Sequence, residues 1–190
     1  MRPRTFFVLM VIFYTLSNLT ISQQAHAETN FPPPVALLSL QPQTLNVPPD
    51  SSAELIVQLD DSSNVYGISI LLDFDPSILS VVDADLSDPG VQISPGNCPQ
   101  PDFDLFNIVD TGSIHYEVTQ LNPTPPCDGG EAATIQFQCL VGNTSTLVTF
   151  TESLISTPNG QPIPHTTANA VVNCSGYFNY LPAIFNAPSP

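Results

Sequence analysis

Few side chains in this sequence could carry out acid–base or nucleophilic chemistry. His115 and Glu117 lie two residues apart in an alternating apolar and polar segment. His165 is the only other histidine after residue 27. A spacing of two residues places both side chains on one face of a strand, where they could activate a serine. The G-x-S-x-G elbow that many serine hydrolases use does not occur in the sequence. We therefore expect no catalytic residues and a protein that is not an enzyme.

Carboxylates are abundant, with 17 Asp and Glu residues in total. Paired carboxylates can hydrolyse glycosidic bonds, but most acidic sandwich proteins could offer such a pair. Asp83, Asp85 and Asp88, followed by Asp102 and Asp104, form an acidic loop region that could hold a structural calcium ion. Their spacing matches no EF-hand, so a solvated acidic loop is the favoured interpretation and no cofactor is expected.

The N-terminus has the features of an export signal. Arg2 and Arg4 precede an apolar run, and an A-x-A motif ends at Ala27, so residues 1–27 are predicted to be a signal peptide and the protein to be secreted or held at the cell surface. These two arginines are the only basic residues of the chain apart from histidine. A mature chain without Lys or Arg cannot neutralise phosphates, which excludes nucleic-acid binding, and no later segment is long and apolar enough to span a membrane.

The rest of the chain reads as short strands separated by Pro, Gly and Asp-rich loops. After an extended leader at 28–34, one domain covers 35–174, and an apolar tail follows at 175–190. The predicted strands, first to ninth, are residues 35–40, 52–59, 65–74, 79–82, 103–109, 113–120, 131–141, 145–151 and 166–174. Nine short strands with alternating apolar residues predict an all-β, two-sheet sandwich.

The third and fourth strands form the longest apolar stretch. Ile68, Ile70, Leu72 and Phe74 alternate with smaller or polar residues, so they are predicted to face the core. Asp75-Pro76 ends this strand, because proline has no N–H and restricts the residue before it.

The order of these pieces resembles the cohesin domain, the module that binds dockerins in cellulosome-type assemblies. The resemblance rests on Gly67 before the Leu72-Asp73-Phe74-Asp75-Pro76 corner, on Leu79-Ser80-Val81-Val82, on the Asp110-Thr111-Gly112 turn, and on the Ala133-Thr134-Ile135 and Val148-Thr149-Phe150 segments. It covers about residues 35–174, and it implies a nine-stranded jelly roll.

The resemblance also implies a dockerin-binding face on the eighth, third, sixth and fifth strands. The outward residues expected to contact a partner are Gly67, Ser69, Leu71, Asp73, His115, Glu117, Thr119, Leu147 and Thr149. Cohesins often carry Asn or Asp where this chain has Gly67 and Ser69. Leu71 and Leu147 could form an apolar patch for protein binding.

A carbohydrate-binding or cell-surface adhesion module linked to polysaccharide degradation is the alternative. Sugar-binding platforms depend on exposed aromatic rings, and this chain has no Trp. Tyr116 is predicted to point inward. A protein partner is therefore favoured over a polysaccharide.

The four cysteines of an exported chain are expected to form two disulfides, for which three pairings are possible. Cys98 precedes the fifth strand and Cys127 follows the sixth, so they lie at the same end of one hairpin and are predicted to pair. Cys139 and Cys174 then remain, although the seventh and ninth strands are not neighbours in the cohesin sheet order.

The excess of carboxylates predicts that their mutual repulsion raises their pKa values in the folded state. Stability would then be lost as the pH rises, and the melting temperature would be higher near about pH 5 than near about pH 8.

Overall fold

A computed structural model describes residues 35–48 and 51–175, which form twelve strands. The strands are β1 Ala36–Gln41, β2 Thr44–Val47, β3 Ser52–Asp60, β4 Gly67–Asp73, β5 Leu79–Val81, β6 Ser94–Pro95, β7 Phe103–Asp110, β8 Ser113–Thr119, β9 Gly130–Cys139, β10 Thr144–Ser156, β11 His165–Ala168 and β12 Ala170–Cys174.

The strands form two sheets that pack face to face. The first sheet has the order β11-β1-β3-β9-β5, with β6 paired to β9, and the second has the order β2-β12-β10-β4-β8-β7. Neighbouring strands are antiparallel except for β1 with β11 and β2 with β12. This architecture confirms the predicted all-β sandwich.

The twelve strands include the nine that were predicted. The chain leaves the first sheet after β1, passes Pro42, and enters the second sheet as β2. It makes the same change of sheet around Asn169, which divides the predicted ninth strand into β11 and β12. The two-residue β6 lies within a segment predicted to be a loop. The divisions at Pro42 and Asn169 arise because consecutive segments, β1 and β2 and likewise β11 and β12, pair in different sheets.

The core lies between the two inner faces, as the alternation in β4 predicted. Ile68, Ile70 and Leu72 are fully buried, and Phe74 contacts Phe137 edge to face at a centroid distance of 5.5 Å. Tyr116 of β8 also points inward, and its hydroxyl donates a hydrogen bond to the Ala132 carbonyl at 3.2 Å. Burial, with a smaller contribution from the charge of Asp104, raises the pKa of Tyr116 far above its usual range.

The Asp75-Pro76 corner carries the chain from one sheet to the other. Asp75 Oδ1 accepts hydrogen bonds from the Ser77 N–H at 2.9 Å and the Ser77 hydroxyl at 2.6 Å. The Leu79 N–H donates to the Asp75 carbonyl at 2.9 Å, which closes the turn. β4 therefore belongs to the second sheet and β5 to the first.

Two disulfides link the described cysteines. Cys98 pairs with Cys127, as predicted from the hairpin geometry, with their Cα atoms 5.7 Å apart. Cys139 of β9 pairs with Cys174 of β12, also at a Cα separation of 5.7 Å. Although β9 and β12 lie in different sheets, this disulfide crosses the sandwich and joins them.

The predicted signal peptide at 1–27, the leader at 28–34 and the tail beyond residue 175 lie outside the described residues. Within the described part of the chain, no helix has the length and hydropathy that a membrane span requires.

Candidate functional site

The candidate site is the solvent side of β10, β4, β8 and β7, which we call the outer face. The cross-strand register arranges its outward side chains in rows. From β10 to β7, the four rows are Ser156–Gly67–Thr119–Phe103, Leu154–Ser69–Glu117–Phe106, Glu152–Leu71–His115–Ile108 and Thr149–Asp73–Ser113–Asp110.

Most of the predicted contact residues lie together in these rows. Ser69, Leu71 and Asp73 follow one another along β4, and the register places Glu117, His115 and Ser113 directly opposite them on β8. Thr119 and Thr149 lie in the two outermost rows. The structure thus brings seven of the nine predicted residues to one exposed surface: Ser69, Leu71, Asp73, His115, Glu117, Thr119 and Thr149.

Gly67 belongs to the first row but is buried. A Cβ atom at this position would lie 2.9 Å from Ser156 Oγ and 3.3 Å from Thr119 Oγ1. Gly67 therefore lies below the neighbouring side chains of the outer face, which partly cover its backbone, and its role as a contact residue stays a prediction.

Leu147 also departs from the expectation. It is 55% exposed, but it lies opposite Val171 of β12, and β10 begins to pair with β4 only at Thr149. Leu71 lies opposite Glu152 and is separated from Leu147 by about 13 Å along the strand direction. The predicted Leu71–Leu147 patch is therefore not formed.

Other apolar side chains are exposed at the two sides of the outer face. Leu154 of β10 is 51% exposed, and on β7 Leu105, Phe106 and Ile108 are 45%, 40% and 45% exposed. Leu154 lies beyond residue 151, where the predicted eighth strand ends, whereas β10 continues to Ser156 and a register shift between Phe150 and Glu152 reverses its alternation. No outward residues were predicted on β7, although the alternation of Phe106 and Ile108 is visible in the sequence.

The charges on the outer face are negative. His115 stacks against Phe106 with a centroid distance of 4.2 Å and an interplanar angle of 16°, and its Nε2 lies 3.7 Å from Glu117 Oε2. The Ser69 hydroxyl donates to the same Glu117 oxygen at 3.4 Å. Because the described residues contain no Lys or Arg, His115 is the only side chain on this face that can carry positive charge.

A cavity of about 240 Å³ opens on the outer face above Gly67. Ser69, Thr119 and Ser156 surround its floor, and Leu154 and Leu105 stand at its two sides. Glu117 also lines this cavity. The site thus combines a small apolar recess with an acidic border.

A serine–histidine pair lies elsewhere in the sandwich. Ser153 Oγ is 2.8 Å from His165 Nε2, and His165 Nδ1 is 2.9 Å from the Ile163 carbonyl. Since that carbonyl requires the proton on Nδ1, the Ser153 hydroxyl donates to Nε2. The pair joins β10 to β11, and neither residue lines the cavities described here.

The acidic loop uses its carboxylates to hold its own turns. Asp85 Oδ1 accepts hydrogen bonds from the Ser87 hydroxyl at 2.5 Å and the Ser87 N–H at 2.9 Å, which lower the pKa of Asp85. Asp83 Oδ1 accepts from the N–H groups of Asp85 and Gln92, both at 3.1 Å. Between this loop and β7 lies a cavity of about 530 Å³. In residues 35–48 and 51–175, no three His, Cys, Asp or Glu side chains are grouped to hold a metal ion.

Comparison with known proteins identifies the fold. No protein-family model matches the sequence, and no curated protein sequence matches it. Solved cohesin structures do match in three dimensions. CaCohA2 from Clostridium acetobutylicum has a TM-score of 0.62 at 19% identity, covering 75% of this chain and 92% of that one.

Two further cohesins support the same conclusion. A non-cellulosomal cohesin from the archaeon Archaeoglobus fulgidus has a TM-score of 0.59 at 17% identity, covering 75% of this chain and 93% of that one. The cohesin Coh-OlpA from Clostridium thermocellum, solved in complex with the dockerin Doc918, has a TM-score of 0.61 at 10% identity, with coverages of 74% and 99%. The chain therefore has a cohesin-like fold.

Proposed function

We propose that this protein is a secreted, non-catalytic cohesin-like module that binds a dockerin-type protein through its outer face. The observation that carries the proposal is the set of exposed apolar side chains on that face. Leu105, Phe106 and Ile108 lie together on β7, Leu154 lies on β10 at the other side of the face, and all four are between 40% and 51% exposed. Monomeric proteins rarely leave a large apolar patch exposed unless it contacts a partner.

The charge of the outer face defines the chemistry of the partner. Glu117, Glu152, Asp73 and Asp110 lie on it, and the described residues contain no Lys or Arg to compensate them. A partner with Lys or Arg around an apolar centre would associate faster through electrostatic attraction and would avoid like-charge repulsion. Binding is therefore expected to weaken as the salt concentration rises.

Secretion is supported by the covalent structure of the domain. Both disulfides join segments separated by about 30 residues or more in the chain, which is typical of proteins that fold in an oxidising compartment. The predicted signal peptide at 1–27 accounts for export to such a compartment.

The structure offers less for a polysaccharide. Phe103 and Phe106 are the exposed aromatic residues of the outer face, and His115 covers one side of the Phe106 ring at 4.2 Å. A row of open rings, which sugar platforms use, is therefore not present on this face.

Titration calorimetry tests the proposal. The domain is titrated with a panel of dockerins, including every dockerin encoded in its source genome, and is incubated with insoluble polysaccharides in parallel. We expect the domain to bind a dockerin, and we expect Ile108→Glu to weaken this binding at least about tenfold. Leu86→Glu is the matched control, because Leu86 is 90% exposed in the 83–93 loop outside the outer face. Binding to polysaccharide alone, or dockerin binding that Ile108→Glu leaves unchanged, would overturn the proposal.

A further inference from the structure

The cavity above Gly67 is suited to a single side chain of a partner. Its volume of about 240 Å³ lies below the usual range for small-molecule sites of about 300–1,000 Å³. Its depth comes from small residues, because Gly67 has no side chain and Ser69 and Ser156 are short. The leucines at its sides, Leu154 and Leu105, are roughly half exposed.

Both leucines owe their position to β-bulges. In β7, Asp104 pairs with Val118 and Phe106 with Glu117, so Leu105 is left between two consecutive pairs. In β10, the register shift after Phe150 turns Leu154 to the outer face. Bulges commonly redirect a side chain beside a functional site. Here two bulges on different strands direct leucines to opposite sides of one cavity.

The polar groups at the floor of the cavity are already paired within the chain. The Thr119 hydroxyl donates to the Tyr66 carbonyl at 3.2 Å, and the Ser69 hydroxyl to Glu117 at 3.4 Å. The Ser156 hydroxyl lies 3.5 Å from the Gly67 carbonyl, toward which it donates. A guest side chain therefore does not need to supply hydrogen bonds. An aliphatic group gains free energy by leaving water for such a recess.

The border of the cavity adds a requirement for positive charge. Glu117 lines the cavity, Glu152 lies one row away on β10, and the described residues contain no Lys or Arg. A guest residue flanked by Lys or Arg would complement these carboxylates.

We propose that this cavity selects partners by receiving one aliphatic side chain from a partner segment that carries Lys or Arg beside it. The inference rests on the proposed function, since it assigns the specificity of the same outer face. Leu154 and Leu105 are the specificity-determining residues, and Gly67 keeps the cavity open.

Synthetic helices test the cavity separately from the choice of partner. Lys-rich peptides of about five helical turns, identical except for Leu or Ser at the central position, are titrated against the folded domain. The Leu peptide is expected to bind at least about tenfold more tightly. This preference should disappear in Leu154→Ala and in Gly67→Ala, whose new Cβ would lie 2.9 Å from Ser156 Oγ and 3.3 Å from Thr119 Oγ1, so that both hydroxyls must shift.

Leu147→Ala is the matched control. Leu147 lies on the same strand with 55% exposure, compared with 51% for Leu154, but outside the cavity. The preference for Leu should persist in this variant. Equal binding of the two peptides, or a preference that survives Leu154→Ala and Gly67→Ala, would overturn the inference. If no dockerin of the panel binds, the proposed partner is refuted. The inference about the cavity is then still open to test, because it depends only on the peptide titrations.

Discussion

Removal of the disulfides provides a quantitative test of how the sandwich is stabilised. Cys98–Cys127 closes a loop with a sequence separation of 29, and Cys139–Cys174 one of 35. In the chain-entropy model, these loops correspond to about 3.6 and about 3.8 kcal/mol of stability. The two bonds should therefore contribute almost equally, although the first closes a hairpin and the second joins the two sheets.

The native contacts near the first bond support this account. Val65 and Cys127 exchange backbone hydrogen bonds of 2.8 and 3.0 Å, and Asp128 accepts one from the Asn64 N–H at 2.9 Å. These contacts remain when the sulfur bridge is removed. The loss of stability should therefore come mainly from a less restricted unfolded chain, which also exposes more surface and raises the denaturant m-value.

The assay is urea unfolding followed by tyrosine fluorescence, since the chain has five Tyr and no Trp. The double variants Cys98→Ala/Cys127→Ala and Cys139→Ala/Cys174→Ala are compared with the wild type. The reduced wild type is the control that keeps the buried sulfur volume. A difference between the two variants of more than about 1.5 kcal/mol, or a loss below about 1 kcal/mol for either, would refute the chain-entropy reasoning.

Two further predictions concern the core and the turns. Tyr116→Phe removes the buried hydroxyl that donates to Ala132 and should lower the free energy of unfolding by about 1–2 kcal/mol in the same assay; an unchanged value would contradict the role of that hydrogen bond. Hydrogen bonds from nearby donors lower the pKa values of Asp75, Asp85 and Asp102 below 3.8. The stability that these three carboxylates contribute is therefore present above that pH and is lost as the pH falls through their folded-state pKa values. Melting temperatures measured from about pH 5 to about pH 2 should show this loss of stability, and the loss should be smaller in Asp75→Asn. If the melting temperature of that variant falls with pH as steeply as that of the wild type, the assignment is contradicted.

At three carboxylates, the direction of the pKa shift is opposite to the one expected from composition. The excess of carboxylates predicts raised pKa values through repulsion, whereas Asp75, Asp85 and Asp102 shift downward. The reason is local. Asp75 and Asp85 accept hydrogen bonds from the hydroxyls and also from the N–H groups of Ser77 and Ser87, and Asp102 accepts one from the Leu121 N–H. These bonds favour the charged form. The higher melting temperature expected near about pH 5 than near about pH 8 stays a prediction.

Much of the fold was predictable because side-chain alternation is a local property. A strand must bury one face, so the order of apolar residues in β4 and β8 determines which side chains enter the core. Ile70, Leu72 and Tyr116 are buried as that pattern requires. The disulfide between Cys98 and Cys127 was predictable for a similar reason, because a hairpin brings its two ends together.

The outer face was predictable only in part. In strands without a bulge, such as β4 and β8, the alternation correctly predicted that Ser69, His115 and Glu117 lie on the outer face. Where a bulge interrupts the alternation, as before Glu152 in β10, continuing the alternation would give the wrong side of the strand for later residues. The predicted strand ends at residue 151, so Leu154 was not assigned to either face.

By itself, the sequence determined an acidic, disulfide-containing β-sandwich, because composition, cysteines and alternation act within short segments. The tertiary structure decided which outward side chains become neighbours. Leu154 and Leu105 face one cavity although they lie 49 positions apart in the chain, and Gly67 is covered by Ser156. Cross-strand register and bulges depend on contacts between distant segments, and no short stretch of sequence specifies them.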